Sequence, residues 1–361
     1  METNLKYMPT FRVRQQEMIV LRSFDFEHQM YPLLEIVKEH DRARNDESQK
    51  SFEDIHIDLI QNINADKVFV DLPVYLKVSG SMKTEVVDFS LRVINNFQNR
   101  SEYLNKLRGL NEKIIPVISS YVLKTGEQDT IQPQLSALNP NFTSIAFRLF
   151  PQSFNIDFPI VQSLARATDY IILDLDQIIP YSSSPPLRPI VSALRSYSVC
   201  NKILLRSAIN TEIQNVGLDH GQIIFNADNS LIDSYLSFGV TAFGDYVGIK
   251  KDDLTAGGTI SPGFIYFDAT DNQYYGYKAK VKKDLSEFEN TIVPDVLNSV
   301  PTANMLHSTP VYLTDQNAGY QTLLNIRMGG ESGKSQAKFK KIAMEHYLYC
   351  IREMIRIGKF G

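Results

Sequence analysis

The chain has 361 residues, of which 43% are hydrophobic and 22% charged, so it can bury a substantial core and is neither disordered nor fibrous. Its 37 basic and 41 acidic side chains leave a net charge of −4, which provides no global attraction to nucleic acid or to an anionic membrane. No apolar run approaches the ~20 residues of a membrane span, and two cysteines suit a reducing compartment, so we expect a cytoplasmic protein without a membrane partner.

Short apolar runs recur along the chain and predict β-strands. They are continuous rather than alternating, which is typical of strands covered on both faces in a parallel sheet. The six clearest runs are 32–37, 67–72, 113–119, 144–149, 169–175 and 202–207. Three weaker runs are 222–226, 241–247 and 263–268. Amphipathic helical patterns lie between the runs, at 52–62, 89–107, 186–197 and 230–238.

The spacing of these runs predicts an α/β fold. They begin roughly 25 to 45 residues apart, which is the length of one strand–helix unit. About eight such units predict a (β/α)8 barrel of the TIM-barrel type. Nine runs compete for eight places, and the sequence leaves open whether 222–226 or 263–268 lies outside the barrel. An open doubly wound parallel sheet is the alternative, although no glycine-rich dinucleotide turn follows an early strand.

The last third of the chain differs in composition. Residues 250–320 are rich in Gly, Thr, Asn and Asp, and within them 264–277 predict a strand pair around a turn at 269–273. We expect this loop and β-hairpin region to be a cap or insertion on the barrel. Residues 335–357 carry apolar side chains at helical spacing, which predicts an amphipathic closing helix. The whole chain, 1–361, is expected to form a single barrel-like domain.

Four short motifs follow one another along most of the chain. They are YMPTFRVRQQE at 7–17, PLLEI at 32–36, FGDY at 243–246 and FIYF at 264–267. In order and spacing they resemble the Beta protein family of bacteria and phages. The resemblance implies a barrel-like fold and a setting in antiviral defence or mobile-element systems, where an effector protein encoded nearby would be a partner. It implies no activity and no catalytic residues, so the chemistry has to come from the residues themselves.

Polar side chains close the predicted strands, at the end where barrel proteins carry their sites. An unpaired charge within an apolar run is costly, so these groups require partners or a ligand. Carboxylates there could hold a divalent cation such as Mg²⁺ or provide acid and base, and arginines could hold a phosphate group. The candidate catalytic residues are Glu35, Asp71, Asp174 and Asp176. The candidate ligand-binding residues are Arg148, Arg206, Asp245 and Tyr246.

The alternative for this set is a buried structural network in which the arginines pair with the carboxylates. In either case we expect one group to converge at a single barrel mouth, namely Glu35, Asp71, Arg148, Asp174 and Arg206. If the mouth is a ligand site, we expect it to stay open to water around Arg148 in the free protein. Replacing that arginine would then cost little stability, as for a screened ion pair.

Other features could bind phosphate or nucleic acid. Residues 329–335 (GGESGKS) resemble a phosphate-binding loop but have three residues, not four, between the first glycine and the Gly-Lys pair. Lysines at 278–283 follow the tyrosines at 274–277, which suits single-stranded nucleic acid but equally a solvated hairpin edge. A second lysine cluster at 334–341 is expected on the solvent face of the closing helix. None of the six histidines has metal-ligand spacing, so no zinc site is expected.

Two functions remain open at this point. The first is a binding protein whose barrel recognises a phosphate-bearing ligand, such as a nucleotide or nucleic acid, and acts with a separate effector. The second is a divalent-metal-dependent phosphoester hydrolase or nuclease-like enzyme. No catalytic motif is complete, which favours the first. The sequence does not decide whether the protein is an enzyme, nor its oligomeric state.

Overall fold

The structure is a computed structural model that describes residues 4–40, 50–179, 185–251, 254 and 261–360. Its strands are β1 (Tyr7–Arg12), β2 (Leu33–Glu35), β3 (Val68–Asp71), β4 (Ile114–Ser119), β5 (Ala146–Leu149), β6 (Tyr170–Asp174), β7 (Asn201–Leu205), β8 (Gln222–Ile223), β9 (Ala242–Asp245), β10 (Gly263–Asp268) and β11 (Gln273–Lys278). Strands β1 to β7 and β9 form a closed barrel in that order. All neighbours are parallel, and β9 closes the barrel against β1. The predicted (β/α)8 barrel is confirmed, and the open-sheet alternative is wrong.

The structure corrects the assignment of strands to the barrel. Both 222–226 and 263–268 lie outside it, where β8, β10 and β11 form a three-stranded antiparallel sheet. The remaining barrel strand is β1, the first strand of the chain, which the apolar pattern did not predict. Its sequence, YMPTFR, contains a proline and two polar side chains, yet all six residues are buried between the barrel interior and the helices. Burial of this strand therefore depends on its place in the barrel and not on a continuous apolar run.

Helices follow most of the barrel strands and pack around them. They are α1 (Gln15–Ser23), α2 (Phe52–Gln61), α3 (Thr84–Ile94), α4 (Phe97–Asn105), α5 (Val122–Thr125), α6 (Ile131–Leu138), α7 (Phe154–Leu164), α8 (Arg188–Ser196), α9 (Leu231–Ser234), α10 (Val293–Leu297), α11 (Val300–His307), α12 (Ala318–Arg327) and α13 (Gln336–Arg356). Within the described residues, no helix combines the length and the apolar character needed to cross a membrane.

Two of the predicted helices are shorter than expected. The pattern at 89–107 is divided between α3 and α4, because Asn96 between them has extended backbone and its side chain accepts the N–H groups of Gln98 and Asn99. This is an N-cap, and it begins a new helix. The pattern at 230–238 forms only the single turn of α9, followed by the 3₁₀ turn Tyr235–Phe238.

The C-terminal third covers the barrel from outside. Strands β10 and β11 pair in antiparallel register, from Gly263 opposite Lys278 to Asp268 opposite Gln273. Helix α13 packs against α1, α12 and β10, and so joins this region to the first helix of the chain. Of the expected cap at 250–320, residues 252–253 and 255–260 lie outside the described residues. That the chain forms a single domain stays a prediction.

Side-chain alternation along the barrel strands decides which residues meet inside. The lower interior is apolar and includes Met8, Leu33, Phe69, Val117 and Ile172. Towards the carboxyl ends, the next inward positions carry polar side chains instead. We call these residues the mouth layer: Arg12, Glu35, Asp71, Ser119, Arg148, Asp174 and Tyr246. The register places Glu35 between Arg12 and Asp71, and Ser119 beside Arg148.

Candidate ligand-binding site at the barrel mouth

Arg148 is the central contact of the mouth layer, and its side chain is completely buried. Its Nη1 donates to Glu35 Oε1 at 2.8 Å and to Asp71 Oδ2 at 2.5 Å. Its Nε and Nη2 both donate to Asp174 Oδ2, at 3.1 Å and 2.6 Å. The structure therefore brings these four predicted residues together. The expectation that Arg148 faces an open, wet mouth is wrong, because three carboxylates surround its guanidinium group.

The two neighbouring carboxylates on β2 and β3 have opposite electrostatic surroundings. Burial alone would raise the pKa of Glu35, but the positive charges of Arg148, Arg12 and Lys251 lower it to about 2. Burial and the Glu35 charge raise the pKa of Asp71 to about 6, although Arg148 opposes them. Glu35 thus stays ionised, whereas Asp71 takes up a proton in mildly acidic solution.

Two tyrosines and a second arginine complete the contacts of Glu35. Arg12 donates from Nε to Glu35 Oε2 at 3.1 Å and from Nη2 to the Tyr75 hydroxyl at 3.2 Å. The hydroxyls of Tyr75 and Tyr246 are 3.1 Å apart, and both donate to Glu35 Oε1. Tyr246 was predicted from the sequence, whereas Arg12 and Tyr75 were not. An aromatic residue in the loop after a barrel strand was the available signal for Tyr75.

Lys251 covers the mouth layer and is almost fully buried. Its Nζ lies 4.1 Å from the centre of the Tyr75 ring and 4.8 Å from that of Tyr246, which is cation–π geometry. The same atom lies 3.0 Å from Asp176 Oδ1. Asp176 is 58% exposed and so belongs to the rim, while its backbone N–H donates to Asp174. Lys251 was missed because it lies in a loop beyond the end of β9.

Two predicted ligand-binding residues face away from the mouth. Arg206 donates from Nη1 to the Asp228 carbonyl at 2.5 Å and from Nε to the Ile178 carbonyl at 3.0 Å, so it ties together the loops after β6 and β7. Asp245 accepts hydrogen bonds from Tyr7 on β1, at 2.6 Å, and from Tyr347 on α13. The prediction that Arg206 converges with the carboxylates is wrong, because the alternating side-chain direction turns this residue outward.

A small cavity of about 10 Å³, room for about one water molecule, lies between the mouth layer and α13. Its lining includes four cationic side chains, Arg12, Lys250, Lys251 and Lys340, next to the Tyr246 ring. Glu17 is the one acidic residue in that lining, and it forms an ion pair with Lys340. Arg12 and Lys251 also pair with Glu35 and Asp176, which lie outside the lining, so the excess of positive over negative groups is confined to the described lining residues themselves. Such an excess attracts anions, and the low-dielectric walls strengthen the attraction.

The carboxylates are not arranged around a shared cation site. The Arg148 guanidinium contacts Glu35, Asp71 and Asp174 at once, so it occupies the position that a bridging divalent ion would need. In the part of the chain that the structure describes, no group of three acidic, histidine or cysteine side chains could hold a metal ion. The geometry suits the binding of an anion beside the layer better than metal-assisted chemistry within it.

The loop at 329–335 is already neutralised by carboxylates of the chain. The Gly333 N–H donates to Glu289 Oε2 at 2.8 Å, and Lys334 Nζ lies 3.6 Å from Glu289 Oε1. Lys338 pairs with Glu331 beside it. These contacts argue against a phosphate site in this loop. The second lysine cluster is likewise paired, whereas Lys280, Lys282 and Lys283 are exposed and form no ion pair with described residues.

Comparison with known proteins gives a family match and a weak structural similarity. A family model described as "Beta protein" matches residues 7–352, which is nearly the whole chain. Among solved structures, the catalytic domain of a GH53 protein from Ignisphaera aggregans is similar in fold, with 12% sequence identity and a TM-score of 0.36. That match covers 68% of this chain and 80% of the other. No curated protein matches the sequence.

Proposed function

The chain belongs to the Beta protein family, and we propose that it binds a small phosphate-bearing ligand at the barrel mouth. The observation that carries this proposal is the cationic lining of the cavity, formed by Arg12, Lys250, Lys251 and Lys340 with Glu17 as its one acidic side chain. At about 10 Å³ the cavity has to widen by side-chain movement before it admits a phosphate group. A role in bacterial or phage defence, with an effector protein that responds to the ligand, completes the proposal and rests on the family resemblance.

The mouth layer would hold the cations ready for such a ligand. Glu35 fixes Arg12 through Nε and accepts from Arg148, so both guanidinium groups are positioned before any ligand arrives. Lys251 is held over two tyrosine rings, and its carboxylate partner Asp176 is exposed. A phosphate oxygen can replace Asp176 as the partner of Lys251, because the displaced carboxylate is exposed and stays in water. Fixed, partly desolvated cations bind phosphate more strongly than mobile surface lysines do.

The test is a thermal-shift titration at low salt with inorganic phosphate, ribose 5-phosphate, nucleoside mono- and triphosphates and a short oligonucleotide. At least one of them should raise the melting temperature in a saturable way, because a ligand of the native state stabilises it by mass action. Lys251→Gln should weaken this binding at least about tenfold, since it removes a desolvated charge partner. Lys282→Gln is the matched control, because it removes the same charge from the exposed turn that follows β11.

Two results would contradict the proposal. One is a failure of every phosphate compound to shift the melting temperature. The other is an equal loss of response in Lys282→Gln and Lys251→Gln, which would indicate a nonspecific effect of net charge. The same titration with a chelator separates the alternative, a divalent-metal-dependent phosphoester hydrolase. Binding at the cationic cavity should be unchanged by the chelator, whereas metal-dependent binding should disappear.

A further inference from the structure

The segment that follows β7 exposes several large apolar side chains. Phe225 lies in a turn closed by the Ala227 N–H on the Ile224 carbonyl, and its side chain is 96% exposed. Ile223 and Val216 are about half exposed, at 51% and 48%. Single exposed apolar residues need no explanation, but three of them on one ten-residue segment form a patch. Nothing in the phosphate-binding proposal uses this patch.

The patch borders an open groove of about 490 Å³. Buried Leu218 and Ile224 contribute to its lining, as does exposed Phe225. The charged side chains in the lining are Glu212 and Asp219, both exposed, and none of the described lining residues is basic. The groove therefore combines apolar surface with negative charge.

The segment is held in place by contacts with its surroundings. The Ile224 N–H donates to the Tyr274 carbonyl of β11 at 2.8 Å. Asn215 donates from its side chain to the Ser261 carbonyl at 3.0 Å. Arg206 forms an ion pair with Asp228 at 3.1 Å at the far end of the segment. Phe225 is therefore presented on a fixed backbone, which lowers the entropy cost of binding a partner.

We propose that this groove docks a protein segment that carries an apolar side chain next to lysine or arginine. The apolar lining accepts the anchoring side chain, as hot-spot pockets do. The two rim carboxylates select a basic neighbour, because opposite charges across an interface direct partner choice. The groove belongs to the loop after β7, at the same end of the barrel as the mouth layer, where the effector of the proposed function would have to sense the ligand. The partner's identity as that effector rests on the proposed function, whereas the docking itself does not.

Fluorescence anisotropy with a labelled peptide of alternating lysine and leucine tests the docking. A peptide of the same length with glutamate in place of lysine is the counter-probe. The basic peptide should bind, and Phe225→Ser and Glu212→Lys should each weaken it at least about tenfold. Leu123→Ser is the matched control, because Leu123 is a large apolar side chain that is 68% exposed outside this groove.

The inference is overturned if the basic peptide does not bind, if the acidic peptide binds equally well, or if Phe225→Ser leaves binding unchanged. It is also overturned if the protein self-associates in sedimentation and Phe225→Ser abolishes this, because the occupant is then a second copy of the chain. The phosphate thermal shift, repeated in folded Phe225→Ser, tests the proposed function separately. That response should be retained whether or not the peptide binds.

Discussion

At the scale of single residues, the buried guanidinium of Arg148 contacts three buried carboxylates at once. Removing these groups from water costs several kcal/mol per ion, and only close pairing with satisfied hydrogen bonds offsets that cost. The contacts to Glu35, Asp71 and Asp174 provide the pairing, and the Tyr75 ring lies 4.5 Å from the guanidinium carbon. Arg148 thus stabilises the folded mouth layer, because it pairs with buried carboxylates that would otherwise lack this cation.

Replacing Arg148 should therefore destabilise the protein strongly. We expect Arg148→Ala to lower the free energy of unfolding by about 3–5 kcal/mol, because it leaves buried carboxylates without their cation. Urea unfolding followed by circular dichroism measures the change. The control is Arg92→Ala, which removes a half-exposed arginine paired with Glu39 and should cost no more than about 1 kcal/mol. A stable Arg148→Ala protein would mean that the carboxylates find other partners or water.

The raised pKa of Asp71 predicts a specific pH dependence of stability. The folded state holds this proton more tightly than the unfolded chain does, since the pKa moves from 3.8 to about 6. The contribution of Asp71 is therefore greatest below about pH 4 and is lost as the pH rises through 6. Asp71→Asn mimics the protonated side chain at every pH. Its stability relative to the natural protein should rise by up to about 3 kcal/mol from pH 4 to pH 7.

Unfolding measured across this pH range in both proteins checks the prediction. A difference that stays constant, or that favours the natural protein at higher pH, would mean that Arg148 holds Asp71 ionised. The pH range in which Asp71 affects stability is distinct from that of Glu35. The lowered pKa of Glu35 gives stability that is present above about pH 4.5 and is lost as the pH falls towards 2.

At the scale of elements, α12 and α13 approach each other through a glycine. A Cβ on Gly319 would lie 2.4 Å from the Ile342 carbonyl oxygen and 2.6 Å from the His346 nitrogen, both in the backbone of α13. His346 is itself buried, and desolvation lowers its pKa to about 4. Its ring nitrogens contact the Phe267 carbonyl and the Asn317 side chain at 2.8 and 3.0 Å. The close approach of the two helices thus places a neutral histidine of α13 in contact with β10 and with the start of α12.

Gly319→Ala should separate these two helices and lower stability. Alanine favours a helix over glycine by up to about 1 kcal/mol, but the clash with backbone atoms outweighs this, with a cost of about 1–3 kcal/mol for overpacking. Gly330→Ala is the control, because the nearest atom to its Cβ is 3.5 Å away. Thermal unfolding of both variants gives the comparison. A Gly319→Ala protein as stable as the control would show that α13 can shift without loss.

At the scale of the whole molecule, the barrel could be predicted because the apolar runs recur at the length of a strand–helix unit. The same reasoning found Glu35, Asp71, Arg148 and Asp174, since each is a charge within such a run. It failed for Arg206 and Asp245, which also close strands, because inward and outward positions alternate and the sequence does not reveal the register. Tyr75 and Lys251 come from loops, whose paths depend on tertiary packing. Strand β1 was missed because its burial comes from its neighbours.

The closure of β1 against β9 has a consequence for synthesis on the ribosome. Tyr7 pairs with Phe243 and Pro9 with Asp245, so one side of the first strand has no partner until the last barrel strand has emerged. At ordinary translation speeds of about 5–20 residues per second, this delay amounts to roughly 10–50 s. During that time the nascent chain carries an open strand edge, which can pair with other chains. A protein of this topology is thus exposed to mispairing until the barrel closes.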